Sequence, residues 1–228
     1  MKKFKVIILS GGKGTRVKKY TKKIPKCLIE INGKPFLYHQ LEYLKKNNIK
    51  DVIVSVNYLG GKIKSYLKKN IDFINTKIVN DGKKSLGTGG AIIKSLRFLK
   101  KDFFVIYGDS YLNFNLIKLA KKKNLATMAI FRNNNKYDKS NIELKKLGKI
   151  FYHKNNENKK LKYIDYGVSY VNKRIFKEIK KNIKFNLPDF FDEISKRNML
   201  SGYKVIKRFY EIGSYNGIKD LKNYLKKK

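Results

Sequence analysis

The stretch FKVIILSGGKGTR, residues 4–16, decides how the rest of the chain reads. Val6, Ile7, Ile8 and Leu9 form an apolar, largely β-branched run that predicts a strand. It passes directly into a loop carrying Gly11, Gly12 and Gly14 and ending in Thr15-Arg16, at the strand's carboxyl end. Those glycines let backbone N–H groups close on a phosphate chain without Cβ clashes. Arg16 adds a planar, permanently charged fork matched to phosphate oxygens. Pro25-Lys26 brings a second cation on a constrained backbone. The spacing is neither the Gly-x-Gly-x-x-Gly of a dinucleotide site nor the Gly-Lys-Ser/Thr of a P-loop.

The first half of the chain repeats this strand-then-helix alternation. Short β-branched runs fall at Val6–Leu9, Val52–Val56, Lys77–Val79, Phe103–Ile106 and Ala126–Phe131. Between them, Leu37–Lys46, Gly61–Lys69, Gly89–Leu99 and Leu116–Lys123 have helical spacing; Leu37, Leu41 and Leu44, for instance, share one face. Such alternation predicts a parallel sheet covered on both sides, with the ligand cleft at the carboxyl ends of the strands. From Asn141 the character changes. Ile142–Leu144 and Lys149–His153 flank Gly148 as a hairpin, Asn155–Lys160 reads as a polar turn, and Leu161–Val171 as a longer strand. Helical stretches at Lys173–Lys181 and Asp189–Arg197 lead to a strand pair, Tyr203–Ile206 with Phe209–Ile212, and a final helix, Ile218–Lys227.

Charge is the other prominent feature: 55 Lys and Arg against 17 Asp and Glu, a net +38. A nucleic-acid-binding basic module is the direct reading of that number. Two features oppose it. Arginine occurs only at Arg16, Arg97, Arg132, Arg174, Arg197 and Arg208, whereas base-edge and phosphate recognition favours arginine. The lysines are also spread along the whole chain, so weak, nonspecific adhesion to polyanions is expected and a specific nucleic-acid partner is not. Hydrophobic residues make up 42%, adequate for a packed core, and no apolar stretch approaches the ~20 residues of a membrane span. Cys27 is the single cysteine and cannot form an internal disulfide, which fits a reducing, cytoplasmic setting. His39 and His153 lack the pattern of a zinc site.

Four further constellations have chemical content. Tyr107-Gly108-Asp109-Ser110 puts a carboxylate at a strand's carboxyl end, suited to a divalent cation that bridges phosphates. Glu211-Ile212-Gly213-Ser214 ends the last expected strand; Glu211 is either a second metal ligand or a helix-capping or merely solvated carboxylate. Asp81-Gly82 and Ser85–Ala91, containing Gly87-Thr88-Gly89, form a second glycine-rich loop that opens a helix, where a flat base can lie against bare backbone. His153-Lys154 and Asp165-Tyr166-Gly167 sit in the second half, with Lys154 either a phosphate holder or a surface cation.

The run VIILSGGKGTR…KIPKCLIEINGKPFL, with Gly108-Asp109 and Leu86-Gly87-Thr88-Gly89-Gly90, resembles the sugar-1-phosphate nucleotidyltransferases (nucleotide-sugar pyrophosphorylases). The likeness is strong over residues 6–35 and 85–109 and looser after residue 140. It implies an α/β, three-layer, Rossmann-like fold with a mixed, mostly parallel sheet and a small acceptor-binding subdomain. It further implies one domain over 1–228, with a nucleotide-binding part at 1–135 and an acceptor-binding part at 136–228. The implied reaction joins an NTP to a sugar 1-phosphate, giving an NDP-sugar and pyrophosphate for surface polysaccharide or lipopolysaccharide synthesis. Arg16, Lys26 and Asp109 would be catalytic, and Asp109 with Glu211 would hold Mg²⁺, although the family usually has aspartate where Glu211 stands. Leu9, Gly11, Gly12, Gly14, Thr15, Asp81, Gly87, Thr88 and Gly89 would bind the nucleotide, and Lys154, Asp165, Tyr166 and Gly167 the acceptor. Leu86–Gly90 is closest in look to guanylyltransferases acting on mannose- or heptose-1-phosphate. Cytidylyl and thymidylyl transfer remain open, and Tyr166, a departure from the commoner small residue, leaves open a non-sugar phosphate or phosphonate acceptor. Other expectations are that no acyltransferase β-helix is attached and that a homodimer is an open option. A fold kept for nucleotide binding without strong catalysis is the remaining alternative.

Overall fold

The computed structural model describes residues 4–82, 85–121, 124–155, 160–177, 179 and 183–228. In chain order its elements begin with β1 (Lys5–Leu9), α1 (Lys18–Thr21), β2 (Glu30–Ile31), β3 (Lys34–Pro35), α2 (Phe36–Lys46), β4 (Asp51–Val56), α3 (Gly60–Asn70), β5 (Asn75–Asn80) and α4 (Gly87–Ser95). They continue with β6 (Asp102–Tyr107), β7 (Ser110–Tyr111), β8 (Ala126–Arg132), β9 (Ile142–Leu144), β10 (Ile150–Tyr152) and β11 (Tyr163–Asn172). The chain closes with α5 (Leu187–Lys196), β12 (Leu200–Val205), β13 (Tyr210–Glu211) and α6 (Tyr215–Lys226).

The expected mixed, mostly parallel central sheet is present. Neighbours along β5-β4-β1-β6 are parallel. β11 joins β6 antiparallel and pairs antiparallel with β8, which pairs parallel with β12. Period-two alternation builds the layers. Val6, Ile8, Phe104 and Ile106 face a cluster that includes Leu37, Leu41 and Leu44 of α2 and Ile63 of α3. Ile7, Leu9, Phe103 and Val105 face the opposite one, with Ala91 and Ile92 of α4 and Phe190 and Phe191 of α5. α2 stops where Asn48 takes a left-handed conformation (φ 59°), which a short polar side chain tolerates.

A third cluster, including Val17, Ile29, Phe36, Ile212 and Ile218, packs α6 beneath the turn that follows the first glycine loop. Its β2–β3 ribbon turns at Asn32-Gly33, both at positive φ (51° and 82°). That Asn-Gly pair is the usual two-residue hairpin signal and went unread in the sequence.

Chain order reverses between β1 and β6: β4 and β5 lie on one side of β1, and the chain then returns to place β6 on the other. The crevice at the carboxyl ends of these strands is where α/β sheets bind ligands. Both Ser10–Gly12 and Gly108-Asp109 open onto it.

Three expected elements differ. Tyr203–Ile206 and Phe209–Ile212 do not pair; β12 pairs with β8 and β13 with β7. A hairpin there would need a tight turn at Lys207-Arg208, which has no residue suited to positive φ. Leu116–Lys121 is a 3₁₀ turn, with Leu116 and Leu119 buried at the three-residue period such a turn presents. Lys173–Phe176 is likewise 3₁₀, and part of the expected helix through Lys181 lies outside the described residues. So does most of the polar turn Asn155–Lys160.

Candidate active site

The first glycine loop is hung between two strands: Ser10 N donates to Ser55 O at 2.8 Å, and Gly108 N donates to Leu9 O at 3.0 Å. These bonds open a cleft of about 300 Å³. Leu9, Gly11 and Gly12 line one wall, Asp81, Gly87 and Thr88 another, and Lys26 and Asp109 meet between them. Lys26 Nζ donates to Asp109 Oδ2 at 2.7 Å. Asp109 is fixed through its backbone: Ile212 N donates to Asp109 O at 3.0 Å. On either side, Gln40 Nε2 donates to Tyr107 O at 3.0 Å and to Ser110 O at 2.9 Å. Gln40 is 4% exposed on an otherwise apolar helix face, a buried amide whose only sequence signal was its place among Leu37, Leu41 and Leu44.

Arg16, Asp109 and Glu211 converge over Gly213. A methyl group built on Gly213 would lie 2.8 Å from Arg16 Nη2, 2.8 Å from Glu211 Oε2 and 3.4 Å from Asp109 Oδ2. Arg16 is exposed, and no hydrogen bond or ion pair engages its guanidinium among the described residues. Glu211 is occupied. Its Oε2 accepts from Gly213 N and from Ser214 N (3.0 Å), and its Oε1 accepts from the Ser214 hydroxyl at 2.5 Å. Ser214 Oγ in turn accepts from Gly217 N at 2.9 Å, as the N-cap of α6. The extra methylene of glutamate thus folds the carboxylate back onto the start of α6, where the helix dipole favours an anion. Gly14 and Thr15 lie at the following 3₁₀ turn rather than on the cleft wall.

The second glycine loop is partly covered. Gly89 N donates to Phe185 O at 3.1 Å, and a Cβ on Gly89 would stand 2.1 Å from the Phe185 ring. Gly89 therefore serves packing, not the base contact expected of it. Thr88 lines the cleft, but its hydroxyl accepts from Leu187 N at 2.7 Å. Asp81 remains directed at the cleft; its Oδ1 accepts a long bond from Ser55 Oγ at 3.4 Å, and burial raises its carboxyl pKa.

The acceptor residues separate. Tyr166 is 1% exposed, packs on Phe114 and Phe209, and donates its hydroxyl to Arg208 O at 3.0 Å. The expected acceptor contact is therefore corrected: strand alternation turns this ring to the core face, so it says nothing about the acceptor. Lys154 is half exposed and ion-paired with Asp189, off the cleft wall. Gly167 sits at φ 91° in a bulge of β11, where its N–H returns to Asp165 Oδ1 at 2.8 Å. Asp165 Oδ2 and Tyr107 Oη are both shut from solvent without a hydrogen bond of normal geometry, though they interact electrostatically.

Burial, reinforced by the charge on Asp109, pushes the Asp165 carboxyl up to about 7 from 3.8, against the Gly167 and Tyr107 contacts that lower it. The native state thus holds this proton through a window in which the unfolded chain has lost it. Stability falls as pH rises from about 4 to about 7 and is level above, by an upper bound of about 4 kcal/mol. Asp165→Asn keeps the acceptor for Gly167 N and removes the buried charge. Thermal melts should show the variant stabilised by roughly 5 °C at pH 8 and by clearly less at pH 5. Equal shifts at both pH values would remove the buried-charge account.

Comparison with known proteins gives the family. The nucleotidyl transferase family model matches residues 5–218. The D-glycero-alpha-D-manno-heptose 1-phosphate guanylyltransferase of Campylobacter jejuni is 38% identical over 194 residues, covering 84% of this chain and 86% of that protein. The mannose-1-phosphate guanyltransferase of Yarrowia lipolytica is 32% identical over 177 residues, 75% of this chain but 47% of its own length. In three dimensions, HddC from Yersinia pseudotuberculosis, solved in complex with GMP-PN, superposes with a TM-score of 0.82 at 24% identity over 97% of this chain and 99% of that one. The inositol-1-phosphate CTP transferase of T. maritima superposes with a TM-score of 0.79 at 20% identity over 98% and 96%. Among the described residues no helix is long and apolar enough to cross a membrane. With the family model spanning nearly its whole length, this chain belongs to the nucleotidyl transferase family.

Proposed function

We propose that the protein transfers a guanylyl group from GTP to a sugar 1-phosphate, with mannose- and heptose-1-phosphate as the first acceptors to test. The observation that carries this reading is the single cleft that gathers a bare-backbone phosphate loop, the Lys26–Asp109 pair and the Asp81 carboxyl. An acceptor phosphate oxygen attacks the α-phosphorus, the bond from that phosphorus to the β-phosphate oxygen breaks, and pyrophosphate leaves. The nucleophile is already anionic, so no strong general base is needed; in-line positioning and charge neutralisation are. Lys26 faces the α-phosphate, and the unengaged Arg16 guanidinium meets the departing pyrophosphate. Asp109 and Glu211 would hold a divalent cation such as Mg²⁺ where their carboxylates converge over Gly213, the ion taking the place of the Lys26 contact on Asp109 Oδ2 and sharing Glu211 Oε2 with its amides. When bound, that ion neutralises charge on the phosphates.

Asp81 supports guanine. A carboxylate only accepts, and guanine's Watson–Crick edge presents two adjacent donors, N1–H and N2–H, whereas cytosine and thymine each present one. Pyrophosphate release across GTP, ATP, CTP and dTTP with several sugar 1-phosphates tests the reading; turnover with none of them overturns it. Asp81→Asn should cut kcat/KM for GTP by at least about tenfold and leave the other NTPs within about twofold, because the amide turns a donor toward donors. A uniform loss over all four would make Asp81 a structural residue.

A further inference from the structure

The segment preceding α5 crosses the opening of the second glycine loop. Phe185 N donates to Leu86 O at 3.1 Å, Gly89 N donates to Phe185 O at 3.1 Å, and Leu187 N donates to Thr88 Oγ1 at 2.7 Å. The backbone on both sides of Asn186 is therefore pinned to the start of α4. Asn186 itself occupies the N-cap of α5, where asparagine ordinarily accepts a hydrogen bond from the first-turn amides. It makes no such side-chain cap here. Its carboxamide lines the cleft instead, with Oδ1 only 2.8 Å from where a Cβ on Gly87 would stand, and it is exposed.

A side chain suited to capping, held by fixed neighbours yet withheld from the cap, is available to a ligand. The carboxamide both donates and accepts, and so do the hydroxyls of a ribose and of a sugar 1-phosphate. We propose that Asn186 binds a hydroxyl group of the molecule in the cleft and sets its selectivity from the second half of the chain. This rests on the nucleotidyltransfer reading above. The cleft wall shared with Gly87 and Thr88 is reached by the ribose of the NTP or by the ring of the acceptor, and the two sources give different results in one experiment.

Initial rates of wild type, Asn186→Ala and Asn186→Ser are measured with GTP, 2′-deoxy-GTP and 3′-deoxy-GTP against mannose 1-phosphate and heptose 1-phosphate, alongside thermal melts and calorimetric binding of GTP alone. Asn186→Ala should raise KM for one substrate by about tenfold, change kcat by less than threefold, leave Tm within about 1 °C, and be partly rescued by Asn186→Ser. If ribose is the source, GTP binding weakens and the penalty for one deoxy-GTP seen in wild type disappears in Asn186→Ala. If the acceptor is the source, GTP binding is unchanged and only the acceptor KM rises. Wild-type turnover with both KM values unmoved in Asn186→Ala overturns the proposal, as does a fall in Tm that accounts for the loss. Wild type that neither binds nor turns over any substrate overturns the nucleotidyltransfer reading itself, a result distinct from either.

Discussion

Asp109→Asn is expected to lower pyrophosphate release by at least about 100-fold while the protein stays folded. The carboxylate stands at the switch point of the sheet, where β6 leaves the crevice, and its partner Lys26 is 2.7 Å away. Its place is set by the backbone: the bond from Ile212 N and the flanking anchors from Gln40 do not use the carboxyl group. Asparagine therefore keeps the geometry and removes only the charge. In the proposed reaction, losing that charge would weaken the site for a divalent cation. The Lys26 ammonium also loses the anion that orients it, so two phosphate-neutralising groups weaken together. A 100-fold loss corresponds to about 2.7 kcal/mol of transition-state stabilisation, modest for a charged group acting on developing charge at a partly desolvated site. The comparison to make is rate against melting temperature. A variant with more than about a tenth of the wild-type rate would show that Asp109 serves Lys26 as a structural partner and has no role in the reaction.

Much of the lining of this cleft is legible in the sequence. Local chemistry is what the sequence carries best. Gly11, Gly12, Asp81 and Asp109 each follow a strand and Gly87 opens a helix, while Lys26 stands on a short 3₁₀ turn after Pro25. A parallel sheet brings all strand ends to one edge, so naming the strands nearly assembles the cleft. What stayed hidden depends on contacts between distant segments. Gly89 reads as a place for a base, and only the fold brings Phe185, nearly a hundred positions later, into that space. Tyr166 reads as a departure at an acceptor position; which face it takes depends on the register of β11, and the bulge at Gly167 resets that register. Glu211 in sequence is compatible with a metal ligand, a cap or a merely solvated carboxylate. The structure shows a carboxylate that caps and still stands beside Asp109, because one more methylene lets it reach both the amides of Gly213 and Ser214 and the space over Gly213.

The charge of +38 bears on the same point. Among the described residues, Lys26 is the one lysine that lines the cleft wall, paired and only 18% exposed in its side chain. Most of the others give no positional information because flexible, solvated ammonium groups are tolerated almost anywhere on a surface. Composition thus obscures the cleft cation, and the constraint of Pro25 before it, together with its distance from the glycine loop, is the signal that separates it.

Lys26→Ala and Arg16→Ala should each lower kcat by about 30-fold or more and raise KM for GTP by less than about fivefold. In the proposed reaction both charges face oxygens whose negative charge shifts as the α-phosphorus changes partners, so their contribution would be greater in the transition state than in the bound ground state. The two positions differ in how they are held, and that separates their variants. Lys26 is fixed by Asp109, so Lys26→Ala leaves a carboxylate without its cation, and the double variant Lys26→Ala/Asp109→Asn should cost less than the product of the single losses. Arg16 has no ion pair among the described residues but stands with Asp109 over Gly213, so the Arg16→Ala/Asp109→Asn pair should also fall short of the product of the single losses, by less than the Lys26 pair does. Arg16→Lys should recover little, because a point charge on a flexible stem cannot reproduce a planar fork placed across two phosphate oxygens. Initial rates at saturating and subsaturating GTP give the kcat and KM values needed. Losses confined to KM would make Arg16 and Lys26 phosphate anchors, with the displacement then driven by positioning alone; full rescue by Arg16→Lys would remove the bidentate role.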